Sequence, residues 1–185
     1  MFELDRFIED CIQARKEDES HIAVREVVAE AVTHQTSVMK ALGEPGEAGF
    51  KPLYQSDDLT ILNFTWAPLM TLMPHNHNAW AVIGIYSGRE DNIFWRKTDN
   101  RIEAAGAKSL MPGSASALGR DIIHSVTNPT EKLTSAIHVY GGDFFAPGRS
   151  EWDPETLQQR AYDIDKTRRI FAQANARFAL GNSAE

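Results

Sequence analysis

The chain has 185 residues, enough for one domain to bury a full core without disulfide or structural-metal staples. Hydrophobic residues make up 42% and charged residues 24%, an ordinary globular balance that argues against disorder and fibrous repeats. The formal charge is −7 and the basic residues are scattered, so nucleic acid and anionic membranes are poor partners and a small molecule is the better one.

The N-terminus, MFELDRFIEDC, carries acidic residues where a signal peptide needs an apolar run. The longest apolar stretch, Ala79 to Tyr86, is too short to span a bilayer, so the expected location is the cytoplasm. Leu4, Phe7, Ile8, Cys11 and Ile12, then Val24, Val27, Val28, Ala31 and Val32, recur at helical spacing and predict two amphipathic helices within residues 1–45. Cys11, the only cysteine, is expected to be a buried, inert thiol on the first of them. Gly43, Pro45, Gly46 and Gly49 then stop helix formation.

Over residues 50–147 the apolar period drops to two, in Leu59 to Trp66, Trp80 to Tyr86, Asn92 to Trp95 and Thr134 to Tyr140. Turn signals at Ser87-Gly88, Thr98 to Asn100, Pro112-Gly113 and Asn128-Pro129 separate these segments, so many short strands predict a sandwich or barrel. From Trp152 to about residue 180 a charged helical pattern returns through Leu157, Ala161, Ile164, Ile170 and Phe171, predicting a helix that packs on the barrel or on a second copy.

Two of the six histidines stand in Pro74-His75-Asn76-His77. Residues two apart on a strand share a face, so His75 and His77 can reach one metal ion, although such a pair alone is weak evidence and more often means two polar residues at a strand end. A third histidine opens His124-Ser-Val-Thr-Asn128 after the turn at Pro112-Gly113.

The HxH pair, Gly88, Pro112 and the His-x3-Asn segment resemble the two metal-binding motifs of the cupin superfamily. The resemblance implies a mainly β fold, a cupin-type double-stranded antiparallel β-helix with N-terminal helices and a C-terminal helix, whose histidines aim inward at one metal. Ordinary cupins add a carboxylate ligand seven residues before the closing glycine, where this chain has Ala81. Three neutral imidazoles would leave the metal its full charge and up to three open positions, which suits a thiolate and O2.

Pro74 to Gly84 and Ile137 to Phe145 sharpen the likeness, which is similar to bacterial thiol dioxygenases of the cysteine and 3-mercaptopropionate dioxygenase family and covers about Tyr54 to Pro154. That resemblance implies one Fe(II) per chain on His75, His77 and His124, a His138–Tyr140 hydrogen-bonded pair beside it, and a small thiol carboxylate plus O2 as substrates. The serine that usually precedes the paired histidine by two residues is Ala136 here, with Ser135 on the opposite strand face. Arg149 matches the arginine that anchors the substrate carboxylate in 3-mercaptopropionate dioxygenases, a role suited to its planar fork of donors, and Gln55 matches a glutamine of the same enzymes. A neutral amide there favours 3-mercaptopropionate over cysteine or mercaptosuccinate. Another metal-dependent cupin enzyme, either a carbon-bond-cleaving dioxygenase or an isomerase, and a non-enzymatic metal or ligand binder remain open. So do nickel or manganese in place of iron, and a monomer or a homo-oligomer.

Overall fold

The computed structural model describes residues 1–99 and 101–182. Helices α1 (Leu4–Glu17), α2 (Ile22–Thr33) and α3 (Gln35–Leu42) come first. The second predicted helix is split at His34, whose backbone (φ −98°, ψ 46°) leaves the helical region and starts α3 on a new axis. Phe7, Cys11 and Ala14 on α1 and Val24, Val28, Ala31 and Val32 on α2 are the buried stripes, as the spacing predicts.

The strands that follow are β1 (Gly49–Gln55), β2 (Thr60–Trp66), β3 (Thr71–His75), β4 (Ala81–Ser87), β5 (Glu90–Lys97), β6 (Ile102–Leu110), β7 (Ala115–Leu118), β8 (Ile123–Thr127) and β9 (Thr134–Tyr140). A short hairpin, β10 (Ser150–Trp152) with β11 (Gln159–Ala161), precedes helix α4 (Ile164–Asn182). Two antiparallel sheets result, in the orders β1-β2-β9-β4-β7 and β11-β10-β3-β8-β5-β6.

The pairing within those sheets identifies the architecture. β2 pairs with β9, β3 with β8, β4 with β7 and β5 with β6, so β2 to β5 are matched in reverse order with β6 to β9. A long hairpin nested in this way and rolled into two facing sheets is a double-stranded antiparallel β-helix of the jelly-roll kind. The expected mainly β fold with helices at both ends is therefore present.

Alternation along β4 and β9 sorts two cores. Ala81, Ile83, Ile85, Ala136 and Tyr140 point between the sheets, while Val82, Tyr86, Ile137 and Val139 meet the helices on the outer face. Both faces are covered, which is why every residue of β9 is buried. The helical layer sits close. A Cβ on Gly84 would lie 2.5 Å from Val28 Cγ1 and 2.8 Å from Val32 Cγ1, so glycine is what lets α2 pack on β4. Phe171 and Ala174 of α4 join the inner core, with Phe171 stacked 5.4 Å from Trp66. The C-terminal helix thus packs against the barrel. No helix among the described residues is long and apolar enough to cross a membrane.

Candidate metal centre

β3 and β8 are neighbours, and His75 and His124 are direct partners in their register. His77 lies two residues beyond the end of β3, in the bend that leads to β4, so the pair does not share a regular strand as its spacing predicts. The bend still returns His77 to the same place. One ring nitrogen from each of His75, His77 and His124 lies within 4.8 Å of the others, and all three residues are buried. His77 Nε2 and His124 Nε2 are 2.9 Å apart.

The outer nitrogens show how the rings are held. His124 Nδ1 lies 2.7 Å from Asn92 Oδ1, and His75 Nδ1 lies 2.9 Å from the Met73 carbonyl. Both acceptors place the ring hydrogen on Nδ1 and leave Nε2 bare, the form in which histidine ligates a metal. His77 differs: its Nδ1 faces Arg149 Nη2 at 3.2 Å, and a guanidinium can only donate. Without a metal, the hydrogen on His77 therefore sits on Nε2 and points at His124. A metal would take that position and return the hydrogen to Nδ1, so Arg149 must turn away from His77 when the centre fills.

Burial drives the histidines toward their neutral forms. It pushes His75 down to about 3, with the Arg149 cation adding to the effect, and holds His77 and His124 well below the ordinary histidine value for the same leading reason. Neutral, convergent imidazoles, two with bare Nε2 atoms and a third that can shift its hydrogen to Nδ1, fit a borderline divalent metal. Ala81 is buried in the inner core and stands opposite Tyr140 in the β4–β9 register, so no fourth protein ligand comes from that position.

The depressed values carry a stability consequence for the metal-free protein. Below the ordinary histidine value of about 6.5 the unfolded chain takes up protons that the folded chain refuses, so stability is full above that pH and falls as the pH drops toward the folded values. Each such histidine steepens the fall by about 1.4 kcal/mol per pH unit, or about 4 for three. Urea unfolding between pH 7 and pH 5 checks this. His75→Gln should lower the slope by about a third, and parallel slopes would show that His75 is not buried neutral.

His138 and Tyr140 face the same cavity from β9, with His138 Nδ1 3.0 Å from the Tyr140 hydroxyl. Burial raises Tyr140 well above the usual phenol value, which keeps the hydroxyl protonated. Arg149 is not a solvated loop residue. Its guanidinium lies between the rings of Phe144 (4.3 Å) and Tyr162 (4.0 Å), and it donates to the carbonyls of Asn76 and Phe144. The β10–β11 hairpin positions it, since Glu151 pairs with His75.

Gln55 is not brought to the centre. It is exposed at the end of β1, donates to Asp143 Oδ1 at 3.0 Å, and is absent from the lining of the histidine cavity. A register irregularity between Pro52 and Tyr54 breaks the alternation just before it. Asn128 likewise serves the fold, donating to the carbonyls of Trp66, Ala67 and Lys132. Sequence reasoning missed Asn92, Glu90 and Tyr162. For the first two a signal existed: two polar residues at even spacing on one face of β5, both buried.

The cavity between the histidines has a volume of about 10 Å³, room for one water-sized body. Beyond Phe144 and Tyr162, which line both, lies an outer pocket of about 370 Å³ that Arg149 and Arg168 also line.

No protein-family model matches the chain, and no curated protein matches it in sequence. Solved structures overlap it in part. The DMSP lyase DddQ of Ruegeria pomeroyi DSS-3 is 17% identical with a TM-score of 0.47, over 59% of this chain and 53% of that one. An RmlC-like cupin family protein with a double-stranded β-helix fold from Methanocaldococcus jannaschii is 10% identical with a TM-score of 0.46, over 55% of this chain and 85% of that one. An oxalate decarboxylase variant from Bacillus subtilis is 14% identical with a TM-score of 0.44, over 55% of this chain and 27% of that one. The chain spans about half the length of the DMSP lyase.

Proposed function

We propose that the chain is an iron(II)-dependent dioxygenase that adds both atoms of O2 to the sulfur of a small thiol carboxylic acid, R–SH + O2 → R–SO2H, with 3-mercaptopropionate favoured and cysteine next. Arg149 is the observation that carries this reading. It is a buried cation, 3.2 Å from a candidate ligand, and no acidic side chain pairs with it among the described residues. An uncompensated guanidinium is costly in a dry site, so an incoming anion gains from meeting it there. A molecule with an acid at one end and a metal-seeking atom at the other fits both halves of the site.

When bound, iron(II) supplies a Lewis acid for the thiol and a redox partner for O2. The protein's own share is positioning. His75, His77 and His124 would hold the ion, with Ala81 leaving positions on it free for both substrates. Arg149 donates through Nε to the Asn76 carbonyl and through Nη1 to the Phe144 carbonyl, and its Nη2 group, released from His77 when the centre fills, can donate to a carboxylate. Phe50, Phe64, Leu72, Val126 and Phe144 line the cavity and exclude water, strengthening the charge contacts inside it. The hydroxyl of Tyr140, coupled to His138, can hold or move a proton at its oxygen. The inner cavity is too small for the whole substrate, so the acid end is placed toward the outer pocket with Arg149 at the boundary.

The test is oxygen uptake by the Fe(II)-loaded protein with cysteine, cysteamine, 3-mercaptopropionate and mercaptosuccinate, followed by mass spectrometry after turnover in labelled O2. The expected product is a sulfinic acid carrying two labels, formed without an external reductant. One label, or a strict need for NADH or 2-oxoglutarate, overturns the reading. Turnover of a carbon substrate with no thiol oxidation would assign another cupin-type enzyme, and tight metal binding without any O2 consumption a non-enzymatic binder.

A further inference from the structure

Glu90 opens β5 and is fully buried, a setting in which a carboxylate is costly unless its oxygens are engaged. Its Oε2 accepts the indole N–H of Trp66 at 2.9 Å, and its Oε1 accepts the side-chain amide of Asn92 at 2.9 Å. No lysine or arginine pairs with it among the described residues. The ion-pair contact it has is with His138, whose Nε2 lies 3.4 Å from Oε2. That nitrogen is buried and makes no well-aligned hydrogen bond among the described residues, while the opposite nitrogen of the ring faces Tyr140. Ala136, two residues earlier on β9, has no hydroxyl to offer it.

We propose that Glu90 is a positioning residue that fixes which ring nitrogen carries the hydrogen on two histidines, His138 directly and His124 through Asn92. A carboxylate accepts and does not donate, so the ring nitrogen that faces it carries the hydrogen. With Nε2–H toward Glu90, the Nδ1 of a neutral His138 is bare and accepts the hydroxyl of Tyr140. Tyr140 then donates to His138 at rest and turns its oxygen lone pairs toward the cavity.

The second arm works through an amide. Because Asn92 Nδ2 donates to Glu90, its Oδ1 is the atom left facing His124 Nδ1. Oδ1 accepts, so His124 holds its hydrogen on Nδ1 and presents a bare Nε2 to the centre. Were the Asn92 amide reversed, its NH2 would face His124 and drive the hydrogen onto Nε2, where a metal must bind. Glu90 thus guards the ligand form of His124 and sets the resting orientation of the Tyr140 hydroxyl. The inference needs the three-histidine centre but not thiol oxidation.

The experiment is long-range proton–nitrogen NMR on the full chain labelled with 15N-histidine, metal-free and with Zn(II) as a diamagnetic probe. His138 is expected to be protonated at Nε2 and bare at Nδ1, and His124 protonated at Nδ1, in both forms. Glu90→Gln cannot accept from both Trp66 and Asn92. With its single oxygen at the position facing Asn92 it should lose the Nε2–H signature of His138, and with that oxygen facing Trp66 and His138 it should reverse Asn92 and weaken Zn(II) binding by roughly 10- to 100-fold, the usual scale for a group that orients a ligand, so at least one readout changes. Asn92→Ala should weaken Zn(II) binding similarly yet leave the His138 signature in place. A wild-type His138 protonated at Nδ1 with bare Nε2 overturns the proposal, as does a Glu90→Gln protein with both readouts unchanged. If Glu90→Gln does not fold, the wild-type signatures and Asn92→Ala still decide. A protein with these signatures that oxidises no thiol refutes the dioxygenase reading and leaves the role of Glu90 standing.

Discussion

His124→Ala is expected to lose bound metal and turnover together, each by at least about 100-fold. Groups that merely orient a ligand are worth 10- to 100-fold, and this change removes a ligand itself. The geometry singles out His124 as the most connected of the three. It stands opposite His75 in the β3–β8 register, reaches to 2.9 Å from His77, and is braced from behind by Asn92. Its loss leaves two nitrogens and strands the Asn92 carbonyl without a donor in a buried site. Elemental analysis of protein purified after iron loading, with circular dichroism to verify the fold, measures the effect. His34→Ala, on an exposed histidine between α2 and α3, is the control and should keep full metal. Stoichiometric iron and normal turnover in His124→Ala would mean that the three histidines are not the ligand set.

That such a centre could be read from the chain at all follows from the local nature of its signals. The HxH spacing, the apolar run after it and the later His-x3-Asn segment each lie within a few residues, and the barrel converts that pattern into convergence. β4 and β9 were legible because both of their faces are buried, which concentrates apolar residues. β6 was not: between Ile102 and Leu110 every residue is exposed, and Glu-Ala-Ala-Gly-Ala-Lys carries no period-two signal, so only its pairing with β5 makes it a strand. The β10–β11 hairpin has three residues per strand, too few for any periodicity, and yet it delivers Arg149 to His77. Tyr162 was missed for a related reason, because its stacking on Arg149 depends on where that hairpin returns. Gln55 failed in the opposite way, where a correct strand carried an irregular register that no count along the sequence reveals.

Glu90 and Arg149 divide the electrostatics of the cavity between them. The carboxylate lies behind His138 on the side of β5, and the guanidinium lies on the side of the outer pocket, beside His77. Each is buried and neither is paired with the other. One charge is satisfied by fixed dipoles of the fold, the Trp66 and Asn92 N–H groups. The other has no acidic partner among the described residues, which makes Arg149 the member of the pair that a diffusible anion would complete.

Arg149→Ala is accordingly expected to lower kcat/KM for 3-mercaptopropionate far more than for cysteamine, which has no carboxylate to lose. Truncating one partner of a desolvated charge pair commonly costs about 2–5 kcal/mol, so the ratio of the two should fall by roughly 30-fold or more. Only the ratio isolates the charge. Arg149 also ties the carbonyls of Asn76 and Phe144 and fills the space between Phe144 and Tyr162, so its removal loosens the wall for both thiols alike. Arg149→Lys keeps a cation but cannot reproduce the planar fork, and should recover part of the selectivity. Metal content separates this outcome from a general collapse of the site. Because Arg149 holds His77 in the form whose Nε2 bears a hydrogen, its loss frees Nδ1 to take that hydrogen, and Fe(II) affinity should be kept or raised. Steady-state kinetics with both thiols and anaerobic Fe(II) titration of the same variants supply the two measurements. Equal losses on both thiols would make Arg149 a strut of the hairpin, and the carboxylate would have to be held elsewhere.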